Sequence, residues 1–269
     1  LVAGFGLSLS STPMVLQLLG ERKELASQHG RAAFGMLLFQ DLAVLPALAV
    51  VPLLGVAAAV DVQEAGLNPL LAIGAVALIV VAGRYALRPI LRIVAETRIP
   101  DVFTAAALLL VIATALLVNF AGLSMALGAF IAGVLLADSE YRHELEADLE
   151  PFKGLLLGLF FIAVGMSVNL GLVGEAPLTV LAVTAGLMAG KGLVLFALGR
   201  FSPASLAAQA RSLALVMLAG GEFAFVLFPI AVDAGLIGRP LSELLVLAVT
   251  LSMLLSPLLL VLLDKLLLP

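Results

Sequence analysis

The sequence predicts an all-α membrane protein, a bundle of apolar helices in which two spans of opposite direction are interrupted. Three observations predict it. Hydrophobic residues fill 63% of 269 positions and charged residues only 12%, with a mean hydropathy of +1.23, whereas a soluble domain carries roughly a quarter charged residues. Continuous apolar runs long enough to cross a bilayer as helices, about 20 residues each, recur along the whole chain. Helix-breaking and charged residues then fall in the middle of some of these runs rather than between them. A transmembrane β-barrel is excluded, because its spans are short and alternate in polarity.

In chain order the runs give nine spans, at about 1–19, 32–57, 69–87, 101–118, 123–137, 154–171, 178–199, 212–232 and 241–263. The first is rich in small and polar residues around Pro13. The second contains Asp41, the seventh Lys191 and the eighth Glu222. The fifth is short for a bilayer and predicts a tilted or sheltered helix. Connections are brief, so residues 1–269 read as one helical domain without internal linkers.

Basic residues fix the orientation. With nine spans, Arg22, Lys23, Arg31, Arg84, Arg88, Arg92, Arg98, Arg142, Lys153, Arg200, Arg211 and Lys265 all fall on one side. The opposite loops, 60–68, 119–122, 172–177 and 233–240, hold only Arg239. Twelve of the fourteen basic residues therefore face the cytoplasm by the positive-inside rule, and the C-terminus is expected there too. The remaining one, Lys191, is inside the membrane.

Cysteine is absent, which excludes disulfides, thiol catalysis and iron–sulfur chemistry. His29 and His143, the only histidines, are expected in polar loops without partners at metal-ligand spacing, so no metal site beyond a transported cation is expected. Neither a nucleic-acid-binding surface nor a nucleophile–base set nor a phosphate-cradling loop is present, so the protein is not expected to be an enzyme. The chain opens inside an apolar run, with no methionine and no basic leader, and is expected to be a fragment lacking its first spans.

A charge at the bilayer centre costs about 2.5–3.5 kcal/mol on insertion scales. Asp41, Lys191 and Glu222 stand in LLFQDLAVLP, LMAGKGLVLF and LAGGEFAFVLF, otherwise apolar surroundings. A buried ion pair that fixes helix packing is one reading; an ion path is the other, since intramembrane ionisable groups mark such paths. Two breaks at the same depth favour the path. In the first span Ser10, Ser11 and Thr12 precede Pro13, which is expected to interrupt the helix and free the carbonyls near Leu9 and Ser10. The alternative is a kinked helix whose hydroxyls bond back to the preceding turn. In the eighth, Gly220-Gly221 precede Glu222, with Pro229 beyond. Two interrupted helices running in opposite directions suit an inverted-repeat transporter with its site at the midplane.

The chemistry of such a site follows. Freed carbonyls and half-helix ends would face a dehydrated cation, the hydroxyls of Ser10, Ser11 and Thr12 would add ligands, and Asp41 would supply the charge. One carboxylate neutralises one positive charge, so proton and cation compete for it, and that competition is exchange. Glu222 would offset the dipole ends at the second break. Lys191 could pair with either carboxylate. Gly220-Gly221-Glu222-Phe223 also spells a tetrapeptide of cyclic-dinucleotide synthases, but those are soluble α/β domains and this run lies in an apolar span.

At these residues the sequence resembles a known family. SLSSTPMVLQLLGERKEL, GRAAFGMLLFQDLAVLPALAVVPLL, GLSMALGAFIAGVLLADSEYRHELEADLEPFKGLLLGLFFIAVGMSVNL and LAGGEFAFVLF are similar to the Kef-type glutathione-gated potassium-efflux proteins of the monovalent cation:proton antiporter-2 family. The resemblance implies a sodium/proton-antiporter-like bundle of thirteen helices with inverted repeats, lacking its first four here, that works as a homodimer by elevator-like motion in the bacterial inner membrane. It implies potassium/proton exchange, with Gln40-Asp41 as the ion-binding pair, Asp41 as carrier, Ser10, Ser11 and Thr12 as the unwound crossing helix, and Lys191 as the basic residue near the site. His143, Glu144, Glu146, Asp148 and Glu150 match an acidic cytoplasmic loop that holds such proteins shut; a solvated acidic surface helix is the plainer reading. Kef proteins continue into a cytoplasmic nucleotide-binding domain that senses glutathione. No cofactor is expected within residues 1–269, and nucleotide or glutathione would belong to such a domain. Proline at position 13 departs from the small residue common in relatives. Sodium/proton exchange and a gated, channel-like efflux path remain open, as does a non-transporting membrane subunit or sensor.

Overall fold

The computed structural model describes residues 1–58, 69–97, 99–120, 125–201 and 207–267. Arg98, the expected loop 60–68 and residues 121–122 of the loop 119–122 lie outside the described residues, as do the side chains of Arg88 and Lys265. The described residues form twelve α-helices and no strand: α1 (Val2–Ser8), α2 (Thr12–Glu21), α3 (Gln28–Ala58), α4 (Pro69–Ala95), α5 (Pro100–Phe120), α6 (Met125–Ala137), α7 (Arg142–Ser167), α8 (Gly171–Glu175), α9 (Pro177–Phe201), α10 (Ala207–Val216), α11 (Ala224–Asp233) and α12 (Arg239–Leu267).

The fold is the expected all-α membrane protein. Among the described residues, six stretches are long and apolar enough to cross a bilayer, the interrupted Val2–Glu21 among them. The other three expected spans correspond to α4, α6 and the α10–α11 pair. At thirteen residues, α6 is shorter than the hydrocarbon core, which needs about 20. The middle of α7 confirms the solvent: Leu155, Leu159, Ile162 and Met166 are 60–78% exposed, an arrangement stable in lipid and costly in water.

Several boundaries differ from expectation. The helix of α7 begins at Arg142 rather than near 154 and carries Pro151 inside it. His29 and His143, expected in loops, stand in the first turns of α3 and α7. The ring of His29 is held between Ser27 Oγ, 3.2 Å from Nδ1, and Glu24 Oε2, 3.0 Å from Nε2.

The chain forms two compact units, one of residues 1–46 and 167–269, the other of residues 47–166. In the first, Val15 and Leu19 of α2 pack with Leu37 of α3, Leu195 of α9, Leu213 of α10 and Leu260 of α12. Helices α9 and α10 approach closely at Gly199, where a Cβ would lie 2.8 Å from the Ala210 Cα. In the second unit, Leu91, Phe103, Ala107, Leu136 and Leu145 form one cluster and Val118, Leu127 and Ile131 another. Here α6 lies against the backbone of α5: a Cβ on Gly128 would come within 2.6 Å of Ala115 Cα and 2.9 Å of the Thr114 carbonyl. Such small-residue contacts let helices pack by van der Waals attraction where lipid offers no hydrophobic drive between them.

The Gly128 contact generates a test. Because backbone cannot give way, Gly128→Val should destabilise the second unit by about 1–3 kcal/mol, read as a lower thermal midpoint in detergent. Gly133→Ala on the same helix, where an added Cβ meets nothing within 4 Å, should change it little.

Candidate functional site

The first break lies at Leu9–Ser11, at the Leu9 and Ser10 carbonyls, with Thr12 already helical. Leu9 is extended (φ −66°, ψ 144°), as is Ser11 (φ −79°, ψ 109°), and α2 starts at Thr12 with Pro13 in its first turn. Pro13 therefore does not interrupt a helix. It opens the second half-helix, where its missing N–H would have had no partner anyway. The break is stabilised from α3: the Ser10 N–H donates to Gln40 Oε1 at 2.8 Å, and Gln40 Nε2 donates to the Ser8 carbonyl at 3.3 Å. One side-chain amide thus takes up an N–H and a C=O on either side of Leu9.

The hydroxyls diverge. Thr12 Oγ1 donates to the Asp41 carboxylate, 3.1 Å from Oδ2 and 3.3 Å from Oδ1. This sets Asp41 beside the N-terminus of α2, whose partial positive charge favours an anion. Ser10 Oγ instead points to the Met217 carbonyl at 3.4 Å. Ser11 Oγ is buried with no hydrogen-bond partner. Of the three expected hydroxyl ligands, only Thr12 contacts Asp41; neither Ser10 nor Thr12 bonds back into its own helix, so the kinked-helix alternative does not describe them.

The second break separates α10, ending at Val216, from α11, beginning at Ala224. Glu222 lies just before α11, again at a helix N-terminus. Gly220 N–H donates to Ser252 Oγ at 2.9 Å, and Ser252 Oγ to the Val249 carbonyl at 2.7 Å, so α12 props the break. Gly221 meets the first break directly: a Cβ there would lie 3.0 Å from the Ser10 carbonyl oxygen and 3.0 Å from Leu9 Cβ. The two interruptions cross backbone to backbone, and glycine permits that approach.

Lys191 ties the crossing together. It is 9% exposed, and its Nζ donates to the Leu9 carbonyl and, at 2.8 Å, to that of Ala219. These carbonyls follow the C-terminal ends of α1 and α10, where the helix dipoles are negative. The carbonyls expected to face a cation at Leu9 are thus already engaged by Lys191. The hydrogen bonds of Lys191 go to backbone rather than to Asp41 or Glu222, although its charge and that of Asp41 both act on Glu222. Anions at two helix N-termini and a cation at two helix C-termini complement both broken helices. A cavity of about 850 Å³ between α1, α3 and α9 reaches Leu9, Gln40 and Lys191 among mainly apolar walls; Asp41 does not line it.

The acidic stretch belongs to the unit of residues 47–166. His143, Glu144, Glu146 and Glu150 are exposed along the first turns of α7, the acidic surface helix of the plainer reading rather than the loop that the resemblance implies. Asp148 turns inward and accepts a hydrogen bond from Thr104 Oγ1 at 3.1 Å. The pairs His143–Glu146 (3.7 Å) and Lys153–Glu150 (3.9 Å) are exposed, and such pairs stabilise by only about 0–1 kcal/mol. Sequence reasoning missed the Gln40 clasp and the Ser252 prop. The serines in the apolar run of α12, Ser252 and Ser256, were the available signal for the second; nothing local distinguished the first.

Removing the Lys191 ammonium would strand two buried carbonyls, at about 1–3 kcal/mol each. Lys191→Met should therefore lower the thermal midpoint in detergent more than Ser252→Ala does, and should do so with or without added cation.

Comparison with known families bears on the same residues. The model of the family described as "Sodium/hydrogen exchanger, transmembrane" matches residues 1–263. The chain belongs to the sodium/hydrogen exchanger family: it is an integral membrane monovalent cation:proton antiporter, a transporter and not an enzyme.

Proposed function

With that membership as premise, we propose that the protein exchanges K⁺ for protons, driving potassium efflux, and that Asp41 binds cation and proton in turn. The observation that carries the reading is the placement of Asp41, half-buried beside the α2 N-terminus with the Thr12 hydroxyl on its carboxylate, next to two crossing helix breaks. Potassium rather than sodium rests on the resemblance to Kef-type proteins, and so do a homodimer, a bacterial inner membrane and a cytoplasmic C-terminus leading to a nucleotide-binding regulatory domain. The exposed acidic face of α7, from His143 to Glu150, would be the contact for such a domain.

Charge balance explains the coupling. Counting Lys191 as a cation, the carboxylates of Asp41 and Glu222 leave one negative charge among the three. An uncompensated charge is costly in a low-dielectric site. One monovalent cation restores neutrality, and so does one proton; both together overshoot. The two ligands therefore exclude each other, and the site moves across the membrane neutral in either form. The amide of Gln40, occupied on both atoms by backbone, adds no charge, which agrees with one-for-one exchange. Thr12 holds the carboxylate in place whichever ligand it carries. Lys191 and Glu222 keep the breaks stable while Asp41 changes state.

The test is transport in proteoliposomes with an internal pH dye. Addition of K⁺ should drive proton movement, with Na⁺ less effective, and Asp41→Asn should abolish it. A larger response to Na⁺ would reassign the substrate. Cation flux without proton movement would support a channel-like path instead.

A further inference from the structure

Two polar atoms at the crossing have no role in this account. Ser11 Oγ is buried at 0% residue exposure and makes no hydrogen bond; Glu222 Oε2 is likewise buried without one. Buried polar atoms in native proteins are satisfied in the great majority of cases, and an exception points to strain, function or an ion. Here the two belong together, because the residues just before them in the chain, Ser10 and Gly221, meet where the two breaks cross.

Their position relative to Asp41 is set by the chain. Ser11 and Thr12 are consecutive at the start of α2. Thr12 turns its hydroxyl to Asp41, while Ser11 stands at the crossing, where Ser10 meets the Gly221 that precedes Glu222. The start of α2 thus has one hydroxyl on Asp41 and a second, unpaired, at the crossing that carries Glu222. The charged groups facing Glu222 are Asp41, whose charge also reaches it, and Lys191, which is held at the C-terminal ends of α1 and α10.

A carboxylate oxygen and a hydroxyl oxygen are hard ligands of the kind that bind dehydrated hard cations. A helix N-terminus alone repels a cation; the carboxylate of Glu222 reverses that at α11, as Asp41 does at α2. We propose that Ser11 Oγ and the Glu222 carboxylate form a second station for the transported monovalent cation, across the α2 N-terminus from the Asp41–Thr12 station. A cation passing between the two would exchange one carboxylate and hydroxyl for another without returning to water. The proposal rests on the antiporter reading with Asp41 as carrier, and it makes Glu222 a cation ligand rather than only a counter-charge for the broken helix.

The experiment measures proton movement driven by K⁺ and by Na⁺ over a concentration series, using the purified full chain in proteoliposomes. Ser11→Ala, Glu222→Gln and Asp41→Asn are compared with the unaltered protein. Losing one cation ligand at the second station should raise KM for the cation by about tenfold, the scale of a single charge-assisted contact, and should change the ratio of KM for K⁺ to KM for Na⁺. Ser11→Ala alone decides the matter if Glu222→Gln does not fold. An unchanged KM and ion ratio in Ser11→Ala overturns the second station. So does a Glu222→Gln protein slowed equally for both ions at unchanged KM, the result expected of a dipole counter-charge. Asp41→Asn separates the two readings: if it abolishes exchange while Ser11→Ala matches the unaltered protein, the second station falls and the Asp41 reading stands. Coupled exchange surviving in Asp41→Asn sinks that reading, and the second station with it.

Discussion

The site depends on one interaction, the hydrogen bonds from the Lys191 ammonium to the carbonyls of Leu9 and Ala219. Each carbonyl lies where a helix stops inside the membrane, and an unpaired carbonyl there costs several kcal/mol because no water can reach it in hydrocarbon. A membrane protein that breaks two helices at midplane must satisfy those groups internally. Lys191 does so for both at once, and its charge suits two negative helix ends. Glu222 and Asp41 complete the pattern at the positive ends. With the breaks stabilised by these groups, the Asp41 carboxylate is left to neutralise whichever ligand arrives.

Close backbone approach is the second condition. Gly221 lets the second break lie against Ser10 and Leu9, and any side chain there would separate the helices that Lys191 bridges. The Gln40 amide, bonded to Ser8 and Ser10, supplies what a neighbouring helix turn would have supplied. Side chains on α3, α9 and α12 therefore substitute for the intrahelical hydrogen bonds that the breaks remove. The consequence is rigidity at the crossing with Asp41 at its edge, a preorganised arrangement for a dehydrated ion.

Much of this was legible in the sequence because hydropathy and charge are local. The spans follow from apolar runs, the interruptions from Ser10–Pro13 and Gly220–Glu222, and the three intramembrane charges from their scarcity. What was not legible depends on contacts between distant segments. Pro13 suggested an interruption within one helix that frees the carbonyls near Leu9 and Ser10, whereas Thr12 and Pro13 open a second half-helix, α2, after the break. Lys191 looked like the partner of a carboxylate, since nothing in the sequence reveals that two carbonyls from helices far apart in the chain converge on it. Ser10, Ser11 and Thr12 read as equivalent ligands, yet only Thr12 touches Asp41, because consecutive residues at a helix start point in different directions. The run from His143 to Glu150 was a loop only by the family resemblance; the plainer reading, an acidic surface helix, is the one the structure has, with Leu145 and Asp148 facing inward at helical spacing.

The central claim is that the cation binds at Asp41 beside the α2 N-terminus while Lys191 keeps the broken-helix carbonyls. The direct measurement is anomalous diffraction from crystals of the protein grown with Rb⁺ or Tl⁺ in place of K⁺. The account predicts a peak within coordination distance of the Asp41 carboxylate and the Thr12 hydroxyl, with Lys191 still on Leu9 and Ala219. A peak on the Leu9 and Ala219 carbonyls, with Lys191 displaced and Asp41 bare, would contradict it.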